Sequence, residues 1–220
     1  MQAAMLLNKK KQNGNTVLLM HFDGTEGGTV FTDAAKPSRT FTPTGATTTA
    51  AQTKFGGTSL YIDGLAGSRL LTPDSTELKL MTEWTIEFWT YQLTIGSNTW
   101  LYGKNTSGSA SCLKTYNGTL YMEPDNGAQL TVATSVMKAN QWQHYAMVNH
   151  SGWWYLYIDG VQQIAAANAS SMGNNVASLV LGGSAFDTST SKGYYQEFRI
   201  SKVARYLSAF TPPASRFTLD

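Results

Sequence analysis

The chain has 220 residues, of which 42% are hydrophobic and 14% charged, with a formal charge of +2. Domains typically carry about 25% charged residues, so a charge-driven disordered segment and a long-helix protein rich in Glu, Lys and Arg are both excluded. So small a net charge does not by itself argue for nucleic acid or an acidic membrane as a partner. The single cysteine, Cys112, permits no internal disulfide and no cysteine-based zinc site. Every apolar run falls far short of the roughly 20 residues that span a bilayer. Residues 1–15 read as an extended arm. Its basic cluster, Lys9, Lys10 and Lys11, follows a short apolar stretch, the reverse of a secretory signal. Gln12-Asn13-Gly14-Asn15 is a turn-rich break. The arm is expected to anchor the rest of the chain to a partner, with Lys9, Lys10 and Lys11 in contact.

The remainder predicts strands. Residues 17–23 are an apolar run closed by Asp23-Gly24. Phe31, Phe41 and Phe55 mark short strands between Gly- and Thr-rich turns, and further strands fall at 58–63 and 69–72. Residues 84–93 alternate, with Trp84, Ile86 and Phe88 on one face and Thr85, Glu87, Trp89 and Tyr91 on the other. A strand at 99–104 precedes a hairpin, 112–116 and 119–122, around Asn117-Gly118, which supplies the positive φ angles of a type I′ turn. Residues 141–150 and 153–158 form the longest pair, around Ser151-Gly152. A short strand at 161–164 follows Asp159-Gly160, the Ala-rich stretch 165–169 is compatible with one helical turn, and strands close the chain at 178–181 and 194–201. A further short turn fits 203–207. Short strands punctuated this regularly predict an all-β, antiparallel two-sheet sandwich, one domain over residues 16–220. Tyr61-Ile62-Asp63-Gly64 recurs as Tyr157-Ile158-Asp159-Gly160, but the flanks differ, so two strand ends share the same turn chemistry.

Several phrases line up in order: VLLMHFDG at 17–24, KFGGTSLYIDG at 54–64, WTIEFW at 84–89, WQHYA at 142–146, YLYIDG at 155–160, LGG at 181–183, EFRISKVARY at 197–206 and FTPP at 210–213. Over residues 17–217 the set resembles laminin-G-like, concanavalin A-like jelly-roll domains. Its closing phrase is especially similar to versions found in bacteriophage virion proteins. The resemblance implies two packed antiparallel sheets, one curved with a concave face. It implies a non-enzymatic virion module, associated with a tail or capsid and assembled in the host cytoplasm. The arm would bind other virion proteins, and the jelly roll would face outward for decoration or for recognition of host-surface polysaccharide. A symmetric homo-oligomer follows by analogy with particle symmetry. Asn149 departs from many relatives, which carry Arg there. The fold also serves free-standing carbohydrate-binding adhesion modules and glycoside hydrolases, and both remain alternatives.

Candidate chemistry divides unevenly. Glycoside cleavage needs two carboxyl groups about 5–5.5 or 6.5–9.5 Å apart. Glu83 and Glu87 bracket Thr85, where a middle acid would stand, so both are expected to decorate a strand. No cofactor is required. Domains of the resembled kind often carry a structural calcium near the joined terminal strands, which makes Asp23, Gly24 and Glu197 the places to look, with Asp33 and Asp63 less direct. Turn chemistry alone would account for Asp23, Asp63 and Asp159, and a solvent-facing strand position for Glu197. His21, His144 and His150 are too dispersed for a metal site, and Cys112 reads as a small buried apolar residue. Carbohydrate binding has more material. Sugars stack their CH faces on aromatic rings and offer hydroxyls to amides and carboxylates, and the candidates are Trp89, Tyr91, Trp100, Trp153 and Tyr155. Adjacent strand residues point to opposite sides, so one of Trp153 and Trp154 must leave the inter-sheet core. Nucleic acid is not expected, because the basic cluster is confined to the arm.

Overall fold

The computed structural model describes residues 15–106, 111–125, 129–168 and 170–220. The arm, with Lys9, Lys10 and Lys11, lies outside the described residues except for Asn15. Fifteen strands are present among them. The first seven are β1 (Thr16–Met20), β2 (Thr42–Thr44), β3 (Ala46–Thr49), β4 (Ser59–Asp63), β5 (Arg69–Thr72), β6 (Trp84–Gln92) and β7 (Trp100–Gly103). They are followed by β8 (Cys112–Tyr116), β9 (Thr119–Glu123), β10 (Leu130–Ala133), β11 (Trp142–His150), β12 (Trp153–Ile158), β13 (Val161–Ala167), β14 (Leu179–Leu181) and β15 (Lys192–Ser201). The strands form two antiparallel sheets. The larger runs β13-β12-β11-β6-β15-β4-β3, with β1 also paired to β15; the smaller runs β10-β9-β8-β7-β14-β5-β2. Among the described residues, no helix is long and apolar enough to cross a membrane.

Period-two alternation builds the core. Trp84, Ile86 and Phe88 of β6 enter the inter-sheet space with Tyr145, Met147, Trp154 and Phe198 of the same sheet. Leu101, Tyr102, Leu113, Leu120, Met122 and Leu181 meet them from the smaller sheet. Phe88 stacks on Tyr145 at 5.6 Å and on Phe198 at 5.9 Å. Three hairpin turns carry positive φ at both central residues: Asn117-Gly118, Ser151-Gly152 and Asp159-Gly160. That is the condition a type I′ turn imposes, and it matches the right-handed twist of the strands.

Three local expectations fail. Phe31 and Phe55 lie in loops. Phe31 instead packs edge-on against Phe22 at 6.4 Å, and Phe55 against Trp89 at 5.9 Å. Residues 165–167 are strand, because β12 provides a complete ladder, Ala165 opposite Tyr155 and Ala167 opposite Trp153, that overrides the helical preference of alanine. The third is the short turn expected at 203–207, where the backbone is irregular and belongs to a longer C-terminal segment. After β15 it folds back across the outer face of the larger sheet. Tyr206 and Phe210 stack on each other at 3.6 Å and pack on Tyr157, Ala146 and Val148. Phe217 joins Leu19 and Trp89. The Phe210 N–H donates to the Gly160 carbonyl at 3.1 Å.

Candidate functional site

The centre of the larger sheet's outer face is closed, and two carboxylates lie beneath the C-terminal segment. Glu87 of β6 is fully buried. Arg199 donates to its Oε1 from Nε at 2.9 Å and Nη2 at 2.7 Å, and the Tyr206 hydroxyl donates to Oε2 at 2.8 Å. His144 Nε2 stands 3.3 Å from Oε2. Burial works against ionising Glu87, but the His144 hydrogen bond and the Arg199 charge outweigh it, so the carboxyl stays below its ordinary range. Glu87 is therefore no strand decoration.

Glu197 is also buried rather than solvent-facing. It has φ +57° and sits in the irregularity where β15 shifts register against β6 between Gln196 and Arg199. The extra residue lets Gln196 and Glu197 both serve the outer side while Tyr195 and Phe198 stay in the core. Gln196 then caps the Lys54 and Phe55 N–H groups, at 2.7 and 3.1 Å. Glu197 receives Arg216 Nε at 2.9 Å and the Phe217 N–H at 2.8 Å, with His21 Nδ1 2.8 Å away.

The calcium candidates are thus brought together, but around a guanidinium. Arg216 bridges Glu197 and Asp23, donating from Nη2 to Asp23 at 2.7 Å. Gly24 serves packing: a Cβ there would meet the Thr48 hydroxyl at 2.7 Å. Asp33 accepts from Leu19 N, Ala35 N and Arg39, and Asp63 from Leu65 N and Ser68. With protein donors on these carboxylates, the residues do not fit a calcium site, which wants six to eight oxygen ligands. Each of the three histidines pairs with a different glutamate, His150 with Glu83 at 2.8 Å being the third.

The five aromatic candidates fall in four places. Trp89 is 5% exposed, sealed between Phe55 and Phe217 with the Lys54 ammonium 4.3 Å above its ring. It offers no platform. Trp100 is 4% exposed, and Lys114 Nζ covers its face at 4.7 Å. Trp153 faces outward, 47% exposed, and half-buried Tyr155 follows two residues along the same face.

Tyr91 belongs to an array that its own strand does not disclose. Trp142 of β11 lies opposite Tyr91 of β6, Tyr91 opposite Tyr194 of β15, and Tyr194 opposite Tyr61 of β4. The four rings form one row across four adjacent strands, with neighbouring centroids 5.9, 5.9 and 5.0 Å apart. All four are half-buried on the outer face, and Trp142 at one end packs against the cluster of Leu19, Trp89 and Phe217. Three strand spacings make the row about 14 Å long. Burial raises the Tyr194 phenol above its ordinary range, and the neighbouring Tyr61 and Tyr91 add to this. Sequence reasoning missed Tyr61, Trp142 and Tyr194. The alternation of each strand gives their face, but only the register puts them in line.

The smaller sheet offers a second concavity. Leu113, Leu120 and Met122 turn inward, so Lys114, Tyr116, Tyr121 and Glu123 turn outward. With Gln129 they line a cavity of about 330 Å³. Lys114 and Glu123 pair at 2.9 Å, Gln129 donates to Glu123, and Cys112 Sγ donates to it at 3.2 Å. Tyr116 is 52% exposed.

Comparison with known proteins places this geometry. The model of a family described as the concanavalin A-like lectin/glucanases superfamily, Laminin_G_3, matches residues 63–208. The chain belongs to that superfamily. No curated protein sequence matches it. Among solved structures, this laminin-G-like chain is similar to Domain 4 of AbnA, a GH43 extracellular arabinanase from Geobacillus stearothermophilus, in complex with arabinotriose. The TM-score is 0.67 at 17% identity, over 87% of this chain and 94% of that one. The binding domain of Paraclostridial Mosquitocidal Protein 1 follows with TM-score 0.65 and 15% identity, over 87% and 50%. Trypanosoma rangeli sialidase gives 0.64 and 11%, over 87% and 31%. At these identities the likeness establishes a shared fold. The laminin-G-like chain spans half of that toxin binding domain and under a third of the sialidase.

Proposed function

We propose that the chain is a non-catalytic carbohydrate-binding module whose principal contact is the row Trp142, Tyr91, Tyr194 and Tyr61. The observation that carries this reading is the register of the row. Four strands from distant parts of the chain each contribute one ring at one level of the sheet. A row of aromatic rings about 14 Å long offers successive CH–π contacts to more than one sugar ring of an extended glycan. Solved neighbours support the reading: one is a domain in complex with arabinotriose and another is named a binding domain. Binding without cleavage is supported by the acids. Glu87 and Glu197, the buried carboxylates of this face, are engaged by Arg199 and Arg216 under the C-terminal segment. The cavity on the smaller sheet is lined by one carboxylate, Glu123, where glycoside hydrolysis uses two.

The finer reading is that this module is carried on a bacteriophage particle as a homo-oligomer, with residues 1–15 bound to other virion proteins. Its support is the resemblance of residues 197–213 to virion proteins. A free-standing carbohydrate-binding adhesion module is the alternative. Deleting residues 1–15 separates them: particle incorporation is lost under the first, and glycan affinity is unchanged under both.

The test of binding is titration of the full chain with host-surface polysaccharides and arabino-oligosaccharides. Tyr91→Ala and Tyr194→Ala should each lower affinity about tenfold, the loss of one stacking contact. Absence of binding across both panels, or binding untouched by the two substitutions, overturns the reading.

A further inference from the structure

At one end of the sandwich, away from the aromatic row, a cavity of about 350 Å³ is lined by Met81, Thr82, Glu83, Asn149, Ser151, Gly152 and Asn168. We infer that this cavity is a separate binding site for a single neutral sugar residue, with Asn149 as its principal hydrogen-bonding group.

Asn149 carries the inference. The outward residues of β11 are Trp142, His144, Ala146 and Val148, so Asn149 points between the sheets, where the sandwich ends. It is 4% exposed, and its Oδ1 is buried without a hydrogen-bond partner. In register it faces Trp84 on β6 and Trp154 on β12, two core indoles in T-shaped contact at 4.9 Å. Their Nε1–H groups are likewise buried and unpaired. Of these three groups Asn149 lines the cavity, so its Oδ1 is a buried acceptor without a partner at the cavity wall. A buried acceptor left without a partner is costly, and a ligand hydroxyl donating to Asn149 Oδ1 would relieve it.

The lining selects the ligand class. Glu83 is its one charged residue, and the neighbouring His150 lies 2.8 Å from it. No lysine or arginine lines the cavity, so phosphate and carboxylate ligands lack a counter-charge. A single carboxylate falls short of the oxygen-rich set that calcium demands. The rest of the lining is amide, hydroxyl, backbone and the apolar Met81 side chain, which suits a molecule with hydroxyls on one edge and CH groups on the other. Ligand pockets run from about 300 to 1,000 Å³, and a volume at the low end suits one pyranose or furanose ring. This site is independent of the row, although both readings have the protein bind sugar.

The experiment is a titration of the full chain with a panel of methyl glycosides of neutral pentoses and hexoses, read by ligand-detected NMR and by indole fluorescence. Two variants test the site. Asn149→Ala removes the acceptor. Met81→Trp fills the mouth from an exposed position and leaves Asn149 in place. Near-UV circular dichroism checks that both are folded. The inference expects at least one glycoside to bind at millimolar concentration, with affinity lowered about tenfold or more by either variant and unchanged by Tyr91→Ala. Failure of every glycoside to bind, or binding that survives Met81→Trp, overturns the inference. Binding lost in Tyr91→Ala but kept in Met81→Trp overturns it while leaving the proposed function standing.

Discussion

Trp153 and Trp154 are consecutive on β12 and lie on opposite sides of one sheet. Trp154 is completely buried against Trp84, and Trp153 leaves nearly half its surface in solvent. The same side chain therefore has two different costs of removal. Trp154→Ala should destabilise the fold by about 3–5 kcal/mol, the range for emptying a large core site. Trp153→Ala should cost distinctly less, because nearly half of the side chain's surface is already in solvent. Denaturant melts of the two variants measure the difference. Equal losses would mean that the two faces of β12 are wrongly assigned.

Glu87 makes acid stability a local matter. A carboxyl held below its ordinary range stabilises the native state fully at pH above the unfolded value of about 4.3. That contribution disappears as pH falls through the lower native value. Thermal midpoints should thus be nearly flat above about pH 5 and decline below it. Glu87→Gln should flatten that decline and destabilise at neutral pH by about 3–5 kcal/mol, since the Arg199 charge is left buried and unpaired. Glu77 gives the contrast. Its hydrogen bond from Lys36 pulls its pKa down to about 2, yet the pair is exposed and screened by solvent. Glu77→Gln should change the pH profile much less, and added salt should erase what change remains.

The strands, their turns and the sandwich were legible because each rests on local chemistry. Asn117-Gly118 and the alternation of 84–92 need no knowledge of the rest of the chain. That one of Trp153 and Trp154 faces out was legible for the same reason, by geometry between neighbours, but that it is Trp153 is told only by which face of β12 meets the smaller sheet. Trp89 and Trp100 misled because outward on a strand is not the same as exposed: Phe217, Phe55 and Lys114 cover them from residues remote in sequence. The burial of Glu87 and Glu197 was illegible for the same cause, since the arginines and the closing segment arrive only through the fold. The aromatic row failed to show because residues 61, 91, 142 and 194 are aligned by register, a property of strand pairs and not of any strand alone.

Gly160 and Gly118 measure how firmly the C-terminal segment docks. Both have φ between 75° and 79°, so alanine carries similar backbone strain at either site. At Gly118 a Cβ would find open space, whereas at Gly160 it would stand 1.8 Å from the Phe210 carbonyl oxygen. Gly118→Ala should therefore cost about 1 kcal/mol. Gly160→Ala should cost distinctly more and should raise hydrogen exchange across residues 203–217, because the segment must lift to admit the methyl group. Equal effects at both glycines would show that the segment yields freely.

Arg216 sets the response to calcium. Its guanidinium occupies the space between Asp23 and Glu197 and satisfies both, so a divalent ion must displace a bridging cation that is already paired at 2.7 and 2.9 Å. Displacement would also leave the arginine without its carboxylates. Ligand binding to the native state raises the midpoint in proportion to the logarithm of ligand concentration over Kd. Millimolar calcium should therefore leave the melting temperature of the native chain unchanged, and a chelator should not lower it. Arg216→Gln removes the competitor, strips Glu197 of its counter-charge and should destabilise the fold. In that variant alone calcium is expected to recover part of the loss. A calcium-dependent rise in the unsubstituted chain would show that the ion outcompetes Arg216 at this site, and the terminal strands would then be joined by a metal instead of a guanidinium.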